Sequence, residues 1–188
     1  AMIVACAALG DVGRAETFFQ KQTAAGLAPT RGVLLAMLKA CGRGRRPERA
    51  EELLREMGQA RLEPGAEGYT SAITAYAQGR DTAGAVRCFQ GMEEAGIAPD
   101  LISYGALISG LAWGGDVDGA LGRLEEMRAR RIQPDARIYH RILGVLGPLG
   151  QAQPRRQADV EALLCNMAAA RLEPSAALFR RRSDPPDG

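Results

Sequence analysis

Gly96-Ile97-Ala98-Pro99-Asp100 and Arg131-Ile132-Gln133-Pro134-Asp135 are two copies of one five-residue frame, set 35 residues apart. The frame occurs earlier as Gly26-Leu27-Ala28-Pro29-Thr30 and Arg61-Leu62-Glu63-Pro64-Gly65, at the same interval, and once more, after 40 residues, as Arg171-Leu172-Glu173-Pro174-Ser175. Fixed self-similarity at such a period marks a stacked-repeat solenoid, because one unit cannot bury its apolar face alone. The expected fold is therefore all-α, an α-solenoid of stacked helix-turn-helix hairpins with a 35-residue repeat.

Units that end one residue after each proline are 31–65, 66–100, 101–135 and 136–175, preceded by a partial unit over 1–30. They form a single array over 1–175, and 176–188 reads as the start of a further helix, with Phe179, running into a polar tail. Position 4 of the unit holds Leu34, Tyr69, Tyr104 and Tyr139, and position 8 holds Ile3, Leu38, Ile73, Ile108 and Leu143. A spacing of four puts both on one face of a first helix, helix A. A second stripe has a small residue at position 20 (Ala15, Ala50, Ala85, Ala120, Val160). It continues with Phe19, Leu54, Phe89, Leu124 and Leu164 at position 24 and Met57, Met92, Met127 and Met167 at position 27. Steps of four and three make it the buried stripe of helix B.

The helix ends are written as clearly. Asp11, Asp81 and Asp116 share one position and suit an N-cap, whereas Pro47 suits a first helical position, where its missing N–H is not needed. Gly26 and Gly96 suit the left-handed residue that closes helix B, with the following aliphatic residue packing back on the last turn. Arg61, Arg131 and Arg171 stand in that place in the other units, at a cost of roughly 1 kcal/mol each. The unit 136–175 is five residues longer, the surplus falling in Gly147-Pro148-Leu149-Gly150-Gln151-Ala152-Gln153-Pro154-Arg155 between its two helices. Insertions in a solenoid gather on one face, so Pro148 and Arg155 are candidate protein contacts or part of a tolerated loop, and Trp113 is a candidate contact or packs between neighbouring units.

Composition limits the function. The net charge is +2, and only Lys21 and Lys39 among 24 basic residues are lysine, so the strongly basic footprint of many nucleic-acid binders is absent. Cys6, Cys41, Cys88 and Cys165 are far apart and His140 is the single histidine, which excludes a clustered zinc site. Cys6 and Cys41 are equivalent positions read as small core residues. No run of about 18 apolar residues is present, so no membrane span is expected. No leader peptide is legible, and Ala1-Met2-Ile3 falls partway through a unit, as in a mature chain or a fragment.

Tyr104-Gly105-Ala106-Leu107-Ile108-Ser109-Gly110-Leu111, Gly115-Asp116-Val117-Asp118-Gly119-Ala120-Leu121, Glu125-Glu126-Met127 and Ile132-Gln133-Pro134-Asp135 together resemble a pentatricopeptide repeat nearly end to end. So does the unit from Tyr69 to Asp100, and the resemblance covers about 1–175. It implies a right-handed superhelix with helix A lining the concave surface. It also implies work in plastids or mitochondria, the plastid favoured, on single-stranded RNA at one nucleotide per repeat. In that family positions 5 and 35 contact the base edge, position 2 is an aliphatic wedge and a basic residue near position 13 meets phosphate.

Carried onto this chain, Thr70 and Asp100 match the guanine-preferring combination, with Glu67 where the wedge belongs. Ile102 is a proper wedge and Asp135 a proper reader, but Gly105 offers no side chain. His140 and Ser175 are polar and outside the usual code, with Arg137 in the wedge position. Unit 31–65 has Leu35 and Gly65, which form no base-specific hydrogen bond. Arg43 stands at the phosphate position, where other units have Gln78, Trp113 and Pro148, and Arg137 and Arg141 add to the phosphate candidates. Arg31, Lys39, Arg137 and Arg141 against Glu67 leave helices A a surplus of three positive charges over four units.

Two functions follow. The first is RNA binding by the A surface, weak and poorly specific for these units alone. The second is a non-catalytic protein scaffold within a large organelle assembly, to which the broken code and Trp113 point. The Arg43-Gly44-Arg45-Arg46 run suits phosphate contact in either setting, or a solvated loop. An enzyme is not expected. The paired acids Glu51-Glu52, Glu93-Glu94 and Glu125-Glu126 repeat along helix B as surface charge, and no nucleophile or small-molecule site is legible. No cofactor or metal is implied.

Overall fold

The computed structural model describes residues 2–146 and 154–174. Among the described residues ten helices follow one another in antiparallel pairs: α1 (Met2–Leu9) with α2 (Val12–Ala24), α3 (Arg31–Gly44) with α4 (Pro47–Gln59), α5 (Gly65–Gln78) with α6 (Thr82–Glu94), α7 (Leu101–Trp113) with α8 (Val117–Ala129), and α9 (Ala136–Leu146) with α10 (Pro154–Ala169). The odd-numbered helices are the A helices, and α1, α3, α5, α7 and α9 pack side by side as one layer. Each of α2, α4, α6 and α8 lies against its own A helix and the next one along, and α10 lies against α9. This is the expected solenoid, an A layer backed by a B layer. Pro29, Pro64, Pro99 and Pro134 lie between one helix pair and the next.

The two stripes are the core. Leu38, Ile73, Ile108 and Leu143 on the A helices, and Met57, Met92, Met127 and Met167 on the B helices, are fully or almost fully buried. Ala15, Ala50, Ala85 and Ala120 are also sealed, so the two layers approach closely at the small position. Two positions depart from the repeat pattern. In α4 and α10 the buried residues are Leu53 and Leu163, one place before Leu54 and Leu164, which are half-buried. A one-residue step turns a helix face by about 100°, and a branched leucine one place earlier fills the space that Phe19 and Phe89 fill in their own units. Tyr69 is half-buried too, its ring edge lying where Gly91 has no side chain to cover it.

The core divides into two clusters that meet at α5, where Ala72 and Ala75 face one and Ile73 and Tyr76 the other, with Cys88 touching both. Close helix approaches are set by glycine. A Cβ on Gly42 would stand 2.8 Å from the Ser71 carbonyl oxygen, and one on Gly110 would stand 2.8 Å from Ala77 Cβ.

Capping follows the local sequence. Asp11, Asp81 and Asp116 accept from the backbone N–H of Arg14, Gly84 and Gly119 at 3.0, 2.8 and 2.9 Å, and Pro47 opens α4 without a side-chain cap. Helix B closes in the left-handed region at Gly26 (φ 75°), Arg61 (53°), Gly96 (72°), Arg131 (61°) and Arg171 (56°). The next residue then donates back to the last turn, as from Leu62 N to Met57 O at 2.9 Å. Arg45 (55°) and Arg80 (61°) take the same conformation at the A-to-B turn, where Gly10 and Gly115 do so in other units.

Among the paired acids of helix B, Glu51, Glu52, Glu93 and Glu126 have structural partners. Arg49 gathers Glu16, Glu52 and Glu56, Arg130 joins Glu93 to Glu126, and Arg156 joins Asp118 to Asp159, so each cluster ties one B helix to its neighbour. Glu51 accepts from the Tyr76 hydroxyl, and Glu126 accepts from the Tyr104 hydroxyl at 3.0 Å. These carboxylates, read from sequence as plain surface charge, hold helix B to helix A.

Candidate nucleic-acid interface

Thr30, Asp100 and Asp135, each the last residue of its unit, have a second task, which is to start the next A helix. Asp100 Oδ1 accepts from the N–H of Ile102 (3.0 Å) and Ser103 (2.8 Å), while Ser103 Oγ accepts from Asp100 N–H in return, a complete capping box. Asp135 Oδ1 accepts from Ile138 N–H at 3.0 Å, and Thr30 caps α3 through Val33 N–H at 3.4 Å. At Gly65 the side chain is missing, and α5 begins without a cap bond. The cap fixes the carboxylate beside the first turn of the A helix. In Asp100 the second oxygen is left over from the capping box. In Asp135 it accepts from Arg137 Nε at 2.9 Å.

One groove of about 240 Å³ lies along the A layer, with walls from α5, α7 and α9. It brings together Ile102, Gly105, Trp113, Asp135, Arg137 and Arg141, six of the residues singled out in the sequence. Ile102 stands 67% exposed at one end, and Trp113 is 44% exposed at the other. The floor is low because Gly105 and Ala106 carry little side chain. A Cβ added to Gly105 would come no nearer than 3.7 Å to Ile138, so packing does not demand the glycine. The Arg141 guanidinium lies over the Trp113 ring, 4.9 Å from its centroid, a cation–π pair. Thr74 and Gln78 of α5 also line the groove. Gln78 stands at the phosphate position of its own unit, whereas reading single units overlooks Thr74, which belongs to the unit before the one it serves.

The remaining candidates lie elsewhere. Thr70 is half-buried on α5, Asp100 is exposed at the start of α7, and His140 is half-buried on α9, and none of the three lines the groove. Arg43 Nη1 donates to the carbonyls of Ala7 (3.2 Å) and Ala8 (2.5 Å), serving the end of α1. Arg31 Nε donates to Glu63 O at 2.8 Å, and Lys39 pairs with Glu67 at 2.5 Å. Of the four cations counted on helices A, Arg141 alone is partnered by a ring rather than a carboxylate or carbonyl. Pro148 and Ser175 lie outside the described residues, as do Phe179, the tail and the Arg155 side chain. Among the described residues no group of three or more His, Cys, Asp and Glu is placed to hold a metal, and no helix is long and apolar enough to cross a membrane.

Comparison with known proteins fits this geometry. Residues 52–112 match the pentatricopeptide repeat domain, and residues 34–62 and 102–132 each match the single repeat. The chain belongs to the pentatricopeptide-repeat family. Its fold is similar to that of the pentatricopeptide repeat protein PPR10 in complex with an 18-nt psaJ RNA element, with a TM-score of 0.78 at 23% identity over 94% of this chain and 25% of that one. PPR10 from maize gives 0.69 at 27% identity, covering 94% of this chain and 24% of that one. The PPR domain of Arabidopsis thaliana protein-only RNase P 1 in complex with tRNA gives 0.75 at 20%, covering 94% of this chain and 90% of that domain. The chain spans about a quarter of the length of PPR10. No curated protein sequence matches it significantly.

Proposed function

We propose that this chain binds single-stranded RNA along its A-helix surface, as a non-catalytic organellar protein, in a plastid ahead of a mitochondrion. The observation that carries this reading is the convergence of a wedge (Ile102), a capped carboxylate (Asp135), two guanidinium groups (Arg137, Arg141) and an aromatic ring (Trp113) on one groove of the A layer. Structures of PPR10 with an RNA element and of the PPR domain of RNase P 1 with tRNA support it by likeness of fold. Arg31, Lys39 and Arg137 already have partners, so few phosphates are neutralised. With Arg141 left to meet about one phosphate, log Kd should change with log salt by a slope of about 0.7 in magnitude.

Titration of short single-stranded RNA at two salt concentrations tests this. Binding that weakens with salt at a shallow slope supports the reading. No binding at low salt, with the chain recovered in a large protein complex, replaces it with the scaffold role, which the internal pairing of the A-face charges favours.

A further inference from the structure

We infer that the groove between α5, α7 and α9 holds a nucleobase by stacking on the Trp113–Arg141 pair, so that unit 101–135 is a base-tolerant anchor and not a reader of sequence. The inference rests on the proposed RNA binding and says how this one unit contributes to it.

Three observations carry it. First, the side chains that would read a base edge are absent or engaged: Gly105 has none, and Asp135 already accepts one hydrogen bond on each oxygen, from Ile138 N–H and Arg137 Nε, which leaves one acceptor site on each. Second, what replaces them is a flat surface. Trp113 is the only tryptophan in the chain, it lines the groove and is 44% exposed, and a guanidinium lies over its ring at 4.9 Å. Indole and guanidinium planes both stack on bases, and every base has a π-face, so the contact does not depend on which base is present. Third, the volume of about 240 Å³ falls below the roughly 300–1,000 Å³ of sites for drug-sized ligands, which suits a single planar heterocycle. Ile102, exposed at the far end, closes the groove against a neighbouring base. Arg141 meets the phosphate of the stacked nucleotide with the N–H groups it does not share with another side chain.

Intrinsic fluorescence reads this groove directly, since all tryptophan emission comes from Trp113. The full chain is titrated with short oligo(A), oligo(U) and oligo(C), with affinity measured in parallel on labelled RNA. Stacking should quench the emission with all three, and Trp113→Ala should weaken all three by roughly 5- to 100-fold. Trp113→Phe should keep most of the affinity, and Arg141→Met should lower the salt slope by about one phosphate's worth. Thermal melting monitored by circular dichroism checks that each variant is folded. RNA binding without quenching, equal affinity in the folded Trp113→Ala variant, or a loss confined to one base overturns the stacking assignment while leaving RNA binding in place. Failure of the unaltered chain to bind any of the three overturns both.

Discussion

Asp100 does two jobs with two oxygens, and substitutions can separate them. Asp100→Ala removes the acceptor for Ile102 and Ser103 N–H and should cost about 1 kcal/mol in urea or thermal unfolding. Asp100→Asn keeps an acceptor oxygen at the cap and replaces the free oxygen by an amide donor. Its stability should stay within a few tenths of a kcal/mol of the parent, while any preference for guanine at that unit should fall in competition binding. Loss of binding in Asp100→Ala alone therefore says little about base reading, and the asparagine variant decides. The thiols make a second prediction at this scale. Burial pushes Cys41 up to about 11 and Cys88 up to about 12, whereas Cys165 is exposed. Because the thiolate is the reactive form, iodoacetamide at neutral pH should label Cys165 in the native chain and leave Cys41 and Cys88 unmodified until urea is added, as read by mass spectrometry.

Among elements, α5 and α7 come close at Gly110. Gly110→Ala gains up to about 1 kcal/mol of helix propensity, but its Cβ would sit 2.8 Å from Ala77 Cβ and 3.0 Å from Ala77 Cα. Overpacking typically costs 1–3 kcal/mol, so the net effect should be destabilising. Gly122→Ala on α8, where nothing lies within 4 Å, should instead stabilise by up to about 1 kcal/mol, and paired urea melts show the contrast. Glu126 governs the acid limit of the α7–α8 hairpin. Burial pushes its carboxyl up, but hydrogen bonds from Arg123 and Tyr104 and the charges of Arg123 and Arg130 outweigh that and hold it below the usual 4.5. A depressed carboxyl contributes stability above its ordinary value and loses it as pH falls through the lowered folded value. The melting temperature should accordingly drop on acidification below about pH 4.5, and less steeply in Glu126→Gln. The groove is also a property of elements, since its walls come from three helices of successive units. Asp11, Asp81 and Asp116 were legible as caps because a cap reaches three residues along the chain. The same rule applied to Asp100 and Ser103 would have revealed that box, and it was masked by the base-reading role the family assigns there. The Trp113–Arg141 pair had no such local signal, because it depends on how far one A helix slides past the next.

At the scale of the molecule, the 35-residue interval was enough to predict the array, the two stripes and the left-handed closures, because every unit states them again. The exchange of Leu54 and Leu164 for Leu53 and Leu163 was not predictable, since neighbouring side-chain volume decides which of two adjacent leucines turns inward. The arginines at φ 53–61° repeat the strain that glycine avoids at Gly26 and Gly96. Because Thr30, Asp100 and Asp135 each initiate the helix of the following unit, the modules overlap there by one side chain. Anyone grafting a recognition unit into another solenoid should splice through the middle of a B helix. A join made after the proline frame would hand the incoming helix a stranger's first hydrogen bond.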